Sequence, residues 1–372
     1  MKKEIAIIGL KGLPAFGGAA AVGENIIDQL KEKYNFTVYS TSSHTDSKTR
    51  NYNGFRQIVF KKIPFKKLNT LLYYILSSFH AVLFCKYDII HLHHNSAVFL
   101  IPFLKLRYKV IVTTHGAHIS GLREKWIKYK WFFQGQIKYF LKYADIITCV
   151  SKKEKEWFKE KHDLQTNYIP NGINIITKLK EKEKHAEIFF GAGRIIKSKG
   201  CDLLLKALHK IEFSGKIFIA GDLDQSNEHK REILKLSKGL DVEFLGLIKD
   251  KKELLSYIKN SKLFIFPSLQ EAMSMMLLEA ASVKIPIVCS DIRENSDVFS
   301  SDEVRFFKSN DYLDLAKSIK YVFSNYDIMQ SRALSAFNKL QLDYNWENIA
   351  KQYSKVYNRL LKSNCFILSD KI

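Results

Sequence analysis

Short runs of β-branched and aromatic residues alternate with longer amphipathic stretches along the whole chain. This alternation predicts parallel strands joined by helices that cover both faces of a sheet. The predicted strands are EIAIIGL, FTVYST, RQIVFKKI, DIIHLHH, KVIVTTHG, DIITCVS and TNYIPNG in the first half, and EIFFGAG, KIFIAGD, DVEFLG, LFIFPS and IPIVCSD in the second. Both halves are therefore predicted to be doubly wound α/β domains.

Two further segments mark the limits of these halves. Around residues 175–186 the chain is polar, charged and free of aromatic residues, and this stretch follows the turn signal Pro170-Asn171-Gly172. Near the end, apolar residues recur at helical spacing and predict an amphipathic helix. These residues are Trp346, Ala350, Tyr353, Tyr357 and Leu360.

The length allows two domains. With 372 residues and 46% hydrophobic composition, the chain can bury two separate cores. We predict an N-terminal domain at residues 1–174, a second domain at residues 175–345, and a terminal helix within residues 346–372 that packs back towards the first domain.

Positive charge is concentrated in the first half. The chain has 59 Lys and Arg against 38 Asp and Glu, a formal net charge of +21, and residues 1–174 hold 27 of the basic and 12 of the acidic residues. This excess predicts an anionic partner, and the composition leaves a membrane surface, a phosphorylated substrate and nucleic acid open.

Cysteine usage and the apolar segments bear on the compartment. The five cysteines are scattered singly, without Cys-x-x-Cys pairs or histidines at zinc-binding spacing, so we predict a reducing cytoplasm and no metal site. The apolar run after Lys3 stops at a glycine turn, which indicates a first strand rather than a signal peptide. The most apolar later region, Leu68–Phe84, is too short for a membrane span.

The glycine loop GLKGLPAFGGAA follows the first predicted strand and precedes a helix. Glycines such as Gly17 and Gly18 allow backbone amides to approach a phosphate, and the start of a helix favours negative charge. The spacing matches neither the dinucleotide fingerprint nor a P-loop. A phosphate contact and a plain flexible turn therefore both stay open.

Histidines follow two neighbouring predicted strands. His115 lies just past the strand KVIVTT, at the end of the sheet where open α/β folds bind ligands, although a lone histidine is more often structural. The run His91–His94 ends the preceding strand and is placed to line the same crevice. We favour simple exposure of this run at the surface over metal binding, because adjacent strand residues point to opposite faces.

Two cations lie in the loop GAGRIIKSKG, which follows the first strand of the second half. Arg194 and Lys199 could clamp a diphosphate, the arginine through its planar fork and the lysine as a point charge. Two solvated loop cations are the alternative in a lysine-rich chain. Their position at the carboxyl end of a strand favours a function.

The segment FPSLQEAMSMMLLEA contains two glutamates eight positions apart, Glu271 after a strand and Glu279 inside a helix. The amides at the helix start, around Ser274, Met275 and Met276, are open to an anion. A carboxylate buried in an apolar helix needs a partner. We predict one ligand in which hydroxyl groups flank a diphosphate, against the alternative of one exposed and one capping glutamate.

Taken in order, these motifs resemble the family 4 retaining glycosyltransferases of the GT-B fold, over nearly the whole chain. The resemblance implies two doubly wound Rossmann-like domains that face each other across a cleft. A looser likeness of the glycine loop is to bacterial cell-surface polysaccharide transferases. The residues that carry the resemblance are Gly17-Gly18, His115 in TTHG, Ser151-Lys152 after ITCV, the hinge signal IPNGIN, Arg194 and Lys199 in GRIIKSKG, Glu271 to Glu279 as Glu-x7-Glu, and the terminal tryptophan helix.

The resemblance also implies roles. Arg194 and Lys199 would stabilise the diphosphate leaving group in place of a metal. Glu271 would contact hydroxyl groups of the donor sugar, and Glu279 those of the ribose. His115 would contact the donor sugar or help to organise the acceptor.

The implied catalytic set is His115, Arg194, Lys199 and Glu271, and the implied donor-binding set is Gly17, Gly18, Ser274, Met275, Met276 and Glu279. Many relatives have glycines where this chain has Ala272 and Ser274. The larger side chains narrow the donor pocket, so the donor sugar does not follow from the resemblance.

The implied reaction is metal-independent, retaining transfer of a hexose from a UDP- or GDP-linked sugar to a growing, lipid-linked glycan of a bacterial capsule, O-antigen or exopolysaccharide, without a cofactor. Family members are thought to retain by front-face substitution, in which the leaving phosphate takes the acceptor's proton. A nucleotide-sugar epimerase or a sugar phosphorylase of similar fold is the alternative. The sequence contains no nucleic-acid-binding motif that would support a nucleic-acid binder. It also lacks the dinucleotide fingerprint that a dehydrogenase would show.

The acceptor side is predicted from Arg123–Tyr143, where aromatic residues interleave with lysines. This helix could lie on an anionic membrane surface and deliver a lipid-linked acceptor, or it could pack its aromatic residues on its own sheet. We predict a cytoplasmic protein, with peripheral attachment to the inner face of the cytoplasmic membrane left open.

Overall fold

A computed structural model of the protein describes residues 1–15, 18–45, 51–62, 66–119, 130–179 and 185–363. Its contacts divide the chain into two compact units. Unit 1 comprises Met1–Asn171 together with the chain from Trp346 onward, and unit 2 comprises Gly172–Asn345. Each unit is built around its own sheet.

The central strands are buried along most of their length, as expected where helices cover both faces of a parallel sheet. Every strand predicted from the sequence is observed, and the structure adds the short strands β3 and β14. The strands of unit 1 are β1 (Lys3–Lys11), β2 (Tyr34–Thr41), β3 (Asn51–Tyr52), β4 (Phe55–Phe60), β5 (Ile89–Leu92), β6 (Lys109–Thr114), β7 (Ile146–Cys149) and β8 (Asn167–Tyr168). Those of unit 2 are β9 (Ala186–Arg194), β10 (Ile217–Asp222), β11 (Val242–Gly246), β12 (Ser261–Phe266), β13 (Ile287–Ser290) and β14 (Arg305–Phe307).

Helices connect the strands in both units. Among the described helices, none combines the length and the apolar character that a membrane span requires. The helices are α1 (Gly18–Leu30), α2 (Lys66–Phe84), α3 (Ile101–Lys105), α4 (Lys130–Phe140), α5 (Lys152–His162), α6 (Cys201–Lys210), α7 (Asn227–Leu236), α8 (Lys251–Lys259), α9 (Met275–Ser282), α10 (Arg293–Ser296), α11 (Tyr312–Ser324), α12 (Tyr326–Asp343) and α13 (Trp346–Lys362).

The strand orders create a topological switch point in each unit. Unit 2 has the order β11-β10-β9-β12-β13-β14 with parallel pairs throughout, which is the 3-2-1-4-5-6 order of doubly wound folds. Unit 1 has the order β3-β4-β2-β1-β5-β6-β7-β8, parallel except for β3 with β4. Ligands bind outside the carboxyl ends of the strands at such points, here β9 with β12 and β1 with β5. The prediction of two doubly wound, Rossmann-like domains is confirmed.

The terminal helix α13 packs within unit 1. Its helical period places Trp346, Tyr353 and Tyr357 on one buried face. The ring of Tyr357 meets that of Tyr34 edge-on, with 5.4 Å between the centroids, and Lys33 Nζ donates to Ser354 Oγ at 2.7 Å. These contacts fasten α13 to the start of β2.

Candidate active site

The switch point of unit 2 brings two loops into direct backbone contact: loop A, residues 195–200 after β9, and loop B, residues 267–274 after β12. The Leu269 amide donates to the Ser198 carbonyl oxygen at 2.8 Å. Gly200 has a φ of +70°, and a Cβ at this position would lie 2.1 Å from the Pro267 carbonyl oxygen. Only glycine allows so close an approach, which is why the two candidate motifs meet.

Glu271 and Lys199 form an ion pair between these loops. Glu271 is 8% exposed, and its Oε1 accepts from both Lys199 Nζ and Ser268 Oγ, the latter at 2.8 Å. Two residues that the sequence placed in separate motifs, 72 positions apart, therefore share one oxygen atom. A charge-assisted pair of this kind keeps both side chains ordered at the edge of the sheet.

Sequence reasoning missed the support beneath this pair. Ser290 Oγ, at the end of β13, donates to the Ser268 carbonyl oxygen at 2.5 Å. Asn295 Nδ2 in turn donates to the Ser290 carbonyl oxygen at 3.0 Å. A polar residue at the carboxyl end of a strand beside the switch point was the available signal for Ser290.

Arg194 ends β9 with an exposed side chain, and the structure does not bring it into contact with Lys199 or Glu271. Its neighbour across the sheet is Asp222 of β10. Hydrogen bonds from the Asp224 amide and the Gln225 side chain lower the pKa of Asp222, and the positive charge of Arg194 lowers it further. Arg194 therefore lies at the carboxyl end of β9 with its side chain accessible to solvent.

Glu279 lies inside α9 and is 3% exposed. Its Oε1 forms an ion pair with Lys251, the first residue of α8, so the partner that burial requires is a lysine of the protein. Burial raises the pKa of Glu279, and Lys251 opposes that rise only in part. No local pattern pointed to Lys251.

The start of α9 faces the same loops. Ser274 precedes the helix without a side-chain capping bond, and the first turn contains no acidic residue. The amides of Met275 and Met276 are among those a helix start leaves unpaired. A Cβ on Gly191 would lie 3.2 Å from Met276 Sδ, so β9 and α9 approach closely.

In unit 1, Gly18 is the first residue of α1 and is exposed, and a Cβ added to it would meet no atom of the described residues within 4 Å. The packing of the described residues therefore does not require glycine there. Gly17 lies outside the described residues.

His115 follows β6, as predicted, and its Nε2 is buried without a hydrogen-bond partner among the residues that the structure describes. Its ring stacks on that of His93, with 5.8 Å between the centroids. Burial, reinforced by the nearby His94, lowers the pKa of His115 to about 3. The imidazole is therefore neutral at physiological pH, and it can donate or accept a proton in a hydrogen bond but adds no positive charge.

The run His91–His94 is not simply exposed, as the sequence suggested. His91 and His93 are fully buried with their rings 4.1 Å apart. His91 bonds Tyr357 Oη at 2.8 Å through Nδ1 and Thr113 Oγ1 at 2.7 Å through Nε2. Burial lowers the pKa of His91 to about 3. The partner Tyr357 belongs to α13, 266 positions away, which no local pattern indicates.

Glu154 is a second residue that sequence reasoning missed. Ser151 caps α5 by accepting from the Glu154 amide at 3.1 Å, and the fully buried Glu154 carboxylate accepts from the Ala117 amide at 2.5 Å. Burial raises the pKa of this carboxyl. The contact fastens the turn after His115 to the start of α5.

Within the described residues, no group of three or more His, Cys, Asp or Glu side chains is arranged to hold a metal ion. Two doubly wound units, with a lysine and a glutamate paired between the switch-point loops of the second, are the arrangement expected of a glycosyltransferase of the GT-B fold. The model described as Glycosyltransferase Family 4 matches residues 16–176, and that described as Glycosyl transferases group 1 matches residues 173–339. The chain belongs to the family 4 glycosyltransferases, as the sequence resemblance predicted.

Known proteins resemble the chain over different lengths. An uncharacterized glycosyltransferase of Methanocaldococcus jannaschii is 24% identical over 355 residues, which cover 93% of this chain and 96% of that protein. The UDP-Gal:alpha-D-GlcNAc-diphosphoundecaprenol alpha-1,3-galactosyltransferase of Escherichia coli is 28% identical over 240 residues, which cover 57% of this chain and 59% of that protein.

Two solved structures share the fold. Sucrose-phosphate synthase from Thermosynechococcus elongatus has a TM-score of 0.81 at 18% identity, covering 98% of this chain and 100% of that chain. HepE of Anabaena, in complex with UDP and glucose, has a TM-score of 0.76 at 16% identity, covering 96% and 100%. The predicted GT-B fold is confirmed.

Proposed function

We propose that this glycosyltransferase moves a hexose from a UDP- or GDP-linked donor to a growing, lipid-linked glycan of a bacterial cell-surface polysaccharide, with retention of the anomeric configuration and without a metal. The ion pair of Lys199 with Glu271, at the switch point of unit 2, is the observation that carries the donor half. The Escherichia coli relative, named for UDP-Gal as donor and an α-D-GlcNAc-diphosphoundecaprenol as acceptor, supports the donor and acceptor classes. The complex of HepE with UDP and glucose supports the donor class.

Positive groups and open amides surround the proposed diphosphate position. Lys199 is held in loop A, Arg194 is exposed at the end of β9, and the amides of Met275 and Met276 begin α9. Negative charge develops on the diphosphate as the bond to the sugar breaks, and fixed donors stabilise it. A metal is then not required for that task.

The two glutamates have separate roles. Glu271 pairs with Lys199 between the loops and Glu279, inside α9, pairs with Lys251, so we assign them to different parts of one ligand rather than to the carboxylate pair, about 5 Å apart, of a retaining glycosidase. Glu271 contacts the donor sugar's hydroxyl groups. Glu279 uses its second oxygen for the ribose hydroxyls. With no enzymic nucleophile, retention follows front-face substitution, in which the leaving phosphate accepts the acceptor's proton.

UDP or GDP, but not NAD, is expected to raise the melting temperature of the purified full-length chain at fixed salt, because a ligand that binds only the native state stabilises it. At a nucleotide concentration about 100-fold above Kd, the free energy of unfolding should rise by about 2.7 kcal/mol, and this stabilisation is the gain that the melting temperature reports. Arg194→Ala should lower the gain, whereas Arg231→Ala, an exposed arginine on α7, should not. An unchanged gain in Arg194→Ala would remove Arg194 from the diphosphate site.

Product analysis separates the remaining reactions. Nuclear magnetic resonance of the product in the presence of EDTA should show a new glycosidic bond with the donor's anomeric configuration. An inverted product, or loss of activity in EDTA, would contradict the proposed mechanism. Release of a sugar phosphate would favour the phosphorylase, and interconversion of nucleotide sugars without transfer would favour the epimerase.

An exposed apolar stripe on unit 1 supports peripheral membrane attachment. Leu76, Phe79 and Leu83 project from α2 at helical spacing and are 44%, 46% and 60% exposed. No acidic residue occurs from Lys66 to Lys86, and the first half of the chain carries most of the positive charge. Of the predicted basic aromatic helix, residues 123–129 lie outside the described residues. Its described end exposes Lys138, Tyr139, Lys142 and Tyr143.

Flotation with liposomes should recover the protein with phosphatidylglycerol vesicles and much less with neutral phosphatidylcholine vesicles, because apolar burial and attraction to anionic lipid act together. Phe79→Ser with Leu83→Ser should reduce recovery. Leu234→Ser with Leu247→Ser, which alters two comparably exposed apolar residues of unit 2, should not. Equal recovery with both vesicle types would contradict a contribution of charge to membrane binding. Self-association through α2 without flotation would show that the apolar stripe binds a second copy of the protein instead of a bilayer.

A further inference from the structure

A cavity of about 210 Å³ lies in unit 1 at the carboxyl ends of β1 and β2, where the glycine loop begins. It is formed where the end of β1, the turn after β2 and the first part of α2 meet. Its polar lining consists of Lys11, Thr41, Ser43, His44, Asn69 and Thr70. In a doubly wound sheet, this is the edge at which ligands bind.

The lining has the chemistry of an anion site. Besides Tyr73, its side chains provide one ammonium group, one imidazole, three hydroxyl groups and one amide, and no carboxylate is among them. Lys11 Nζ has no hydrogen-bond or ion-pair partner in the described residues. Burial lowers the pKa of Lys11, and burial together with the charge of Lys11 lowers the pKa of His44. A partly buried ammonium group without a counter-ion gains most from a bound anion.

The walls of the cavity are held in place by the fold. Tyr73 Oη accepts from the Gly9 amide at 2.9 Å and donates to the Tyr39 carbonyl oxygen at 2.8 Å, which joins α2 to β1 and β2. Ser43 Oγ bonds His44 Nδ1 at 2.9 Å. Lys11 has a φ of 69°, a left-handed conformation that a lysine keeps only where its surroundings impose it.

We propose that this cavity binds the phosphate or diphosphate group of the acceptor, with Lys11 as its counter-charge and the hydroxyl groups as donors. The identity of the ligand as the acceptor rests on the proposed function, whereas the anion site itself does not. The cavity lies in unit 1, whereas the ion pair of Lys199 with Glu271 lies in unit 2. The two can therefore be tested separately.

Binding of inorganic pyrophosphate to the full-length chain, measured by calorimetry with the donor site saturated by UDP or GDP, tests the anion site. Lys11→Met should weaken this binding about tenfold or more, the effect of losing one charge-assisted hydrogen bond, and His44→Gln should weaken it less. Lys159→Met, an exposed lysine on α5, is the matched control and should bind as the parent does. Unchanged pyrophosphate binding in Lys11→Met would overturn the site.

Transfer kinetics test the identity of the anion. Lys11→Met should raise the KM for a lipid diphosphate-linked glycan about tenfold and leave the KM for the nucleotide sugar and the thermal shift by nucleotide unchanged. Weakened pyrophosphate binding with an unchanged acceptor KM would overturn the acceptor assignment and leave free phosphate or pyrophosphate as the ligand. If the parent protein transfers no sugar but its pyrophosphate binding depends on Lys11, the proposed function fails while the anion site stands.

Discussion

Lys199→Met is expected to lower kcat for sugar transfer by about 10²–10³-fold, the usual effect of removing one group that stabilises charge in a transition state. Methionine keeps the length and apolar stem of lysine but cannot compensate the negative charge that develops on the leaving diphosphate. The donor KM should change less than kcat, because the charge is largest in the transition state. Steady-state kinetics with varied donor concentration measure both constants.

Lys197→Met is the matched control for this experiment. Lys197 lies in the same loop A, but its Nζ contacts Asp202 at 2.7 Å and Glu232 at 3.0 Å instead of Glu271. The variant should keep kcat near that of the parent, and Lys206, 3.3 Å from Asp202, still partners that carboxylate. Comparable losses of kcat in both variants would show that any lysine lost from loop A disturbs the loop structure. This result would contradict a specific role of Lys199 in transfer.

Glu271→Gln is expected to lower kcat for transfer about as much as Lys199→Met does. The amide is close in size to the carboxylate, yet it accepts weaker hydrogen bonds from sugar hydroxyls and cannot neutralise Lys199. Because Glu271 is 8% exposed, the unpaired lysine should also lower the free energy of unfolding by roughly 1–3 kcal/mol. Kinetics and chemical denaturation of the same preparation report the two effects.

The double variant Lys199→Met with Glu271→Gln separates chemistry from stability. Removing both partners of a largely buried pair is often nearly neutral for stability, whereas removing one is costly. The double variant should therefore recover most of the lost unfolding free energy and remain inactive. Recovery of transfer along with stability would show that the pair is structural, and would overturn the proposed site.

The candidate donor site was predicted from the sequence because its parts are local. Arg194 ends an apolar strand, Lys199 and Glu271 each follow one at a turn, and the strand pattern alone predicts a parallel sheet whose carboxyl ends meet at one edge. The sequence did not pair Lys199 with Glu271 in particular. That pairing depends on β12 lying next to β9 and on the close approach of Gly200 to Pro267.

The histidines of unit 1 show the limit of local reasoning. His91 lies in β5 and His93 directly follows that strand. Their rings are 4.1 Å apart, and α13 covers His91 through Tyr357. From the sequence alone, a histidine-rich run is predicted to be exposed, because nothing local shows that α13 covers it. The neutral state of His115 likewise follows from burial, which the sequence did not reveal.

Local patterns determined the strands, the switch-point loops and the amphipathic terminal helix of this protein, because side-chain periodicity and glycine turns act over a few residues. The family resemblance followed from the motifs at those loops. Tertiary structure alone decided that Lys251 partners Glu279, that Glu154 holds the turn after His115, and that Lys11, which has no partner among the described residues, lines a cavity. These outcomes depend on which distant elements become neighbours, and strand order and helix packing settle that choice only when the whole chain folds.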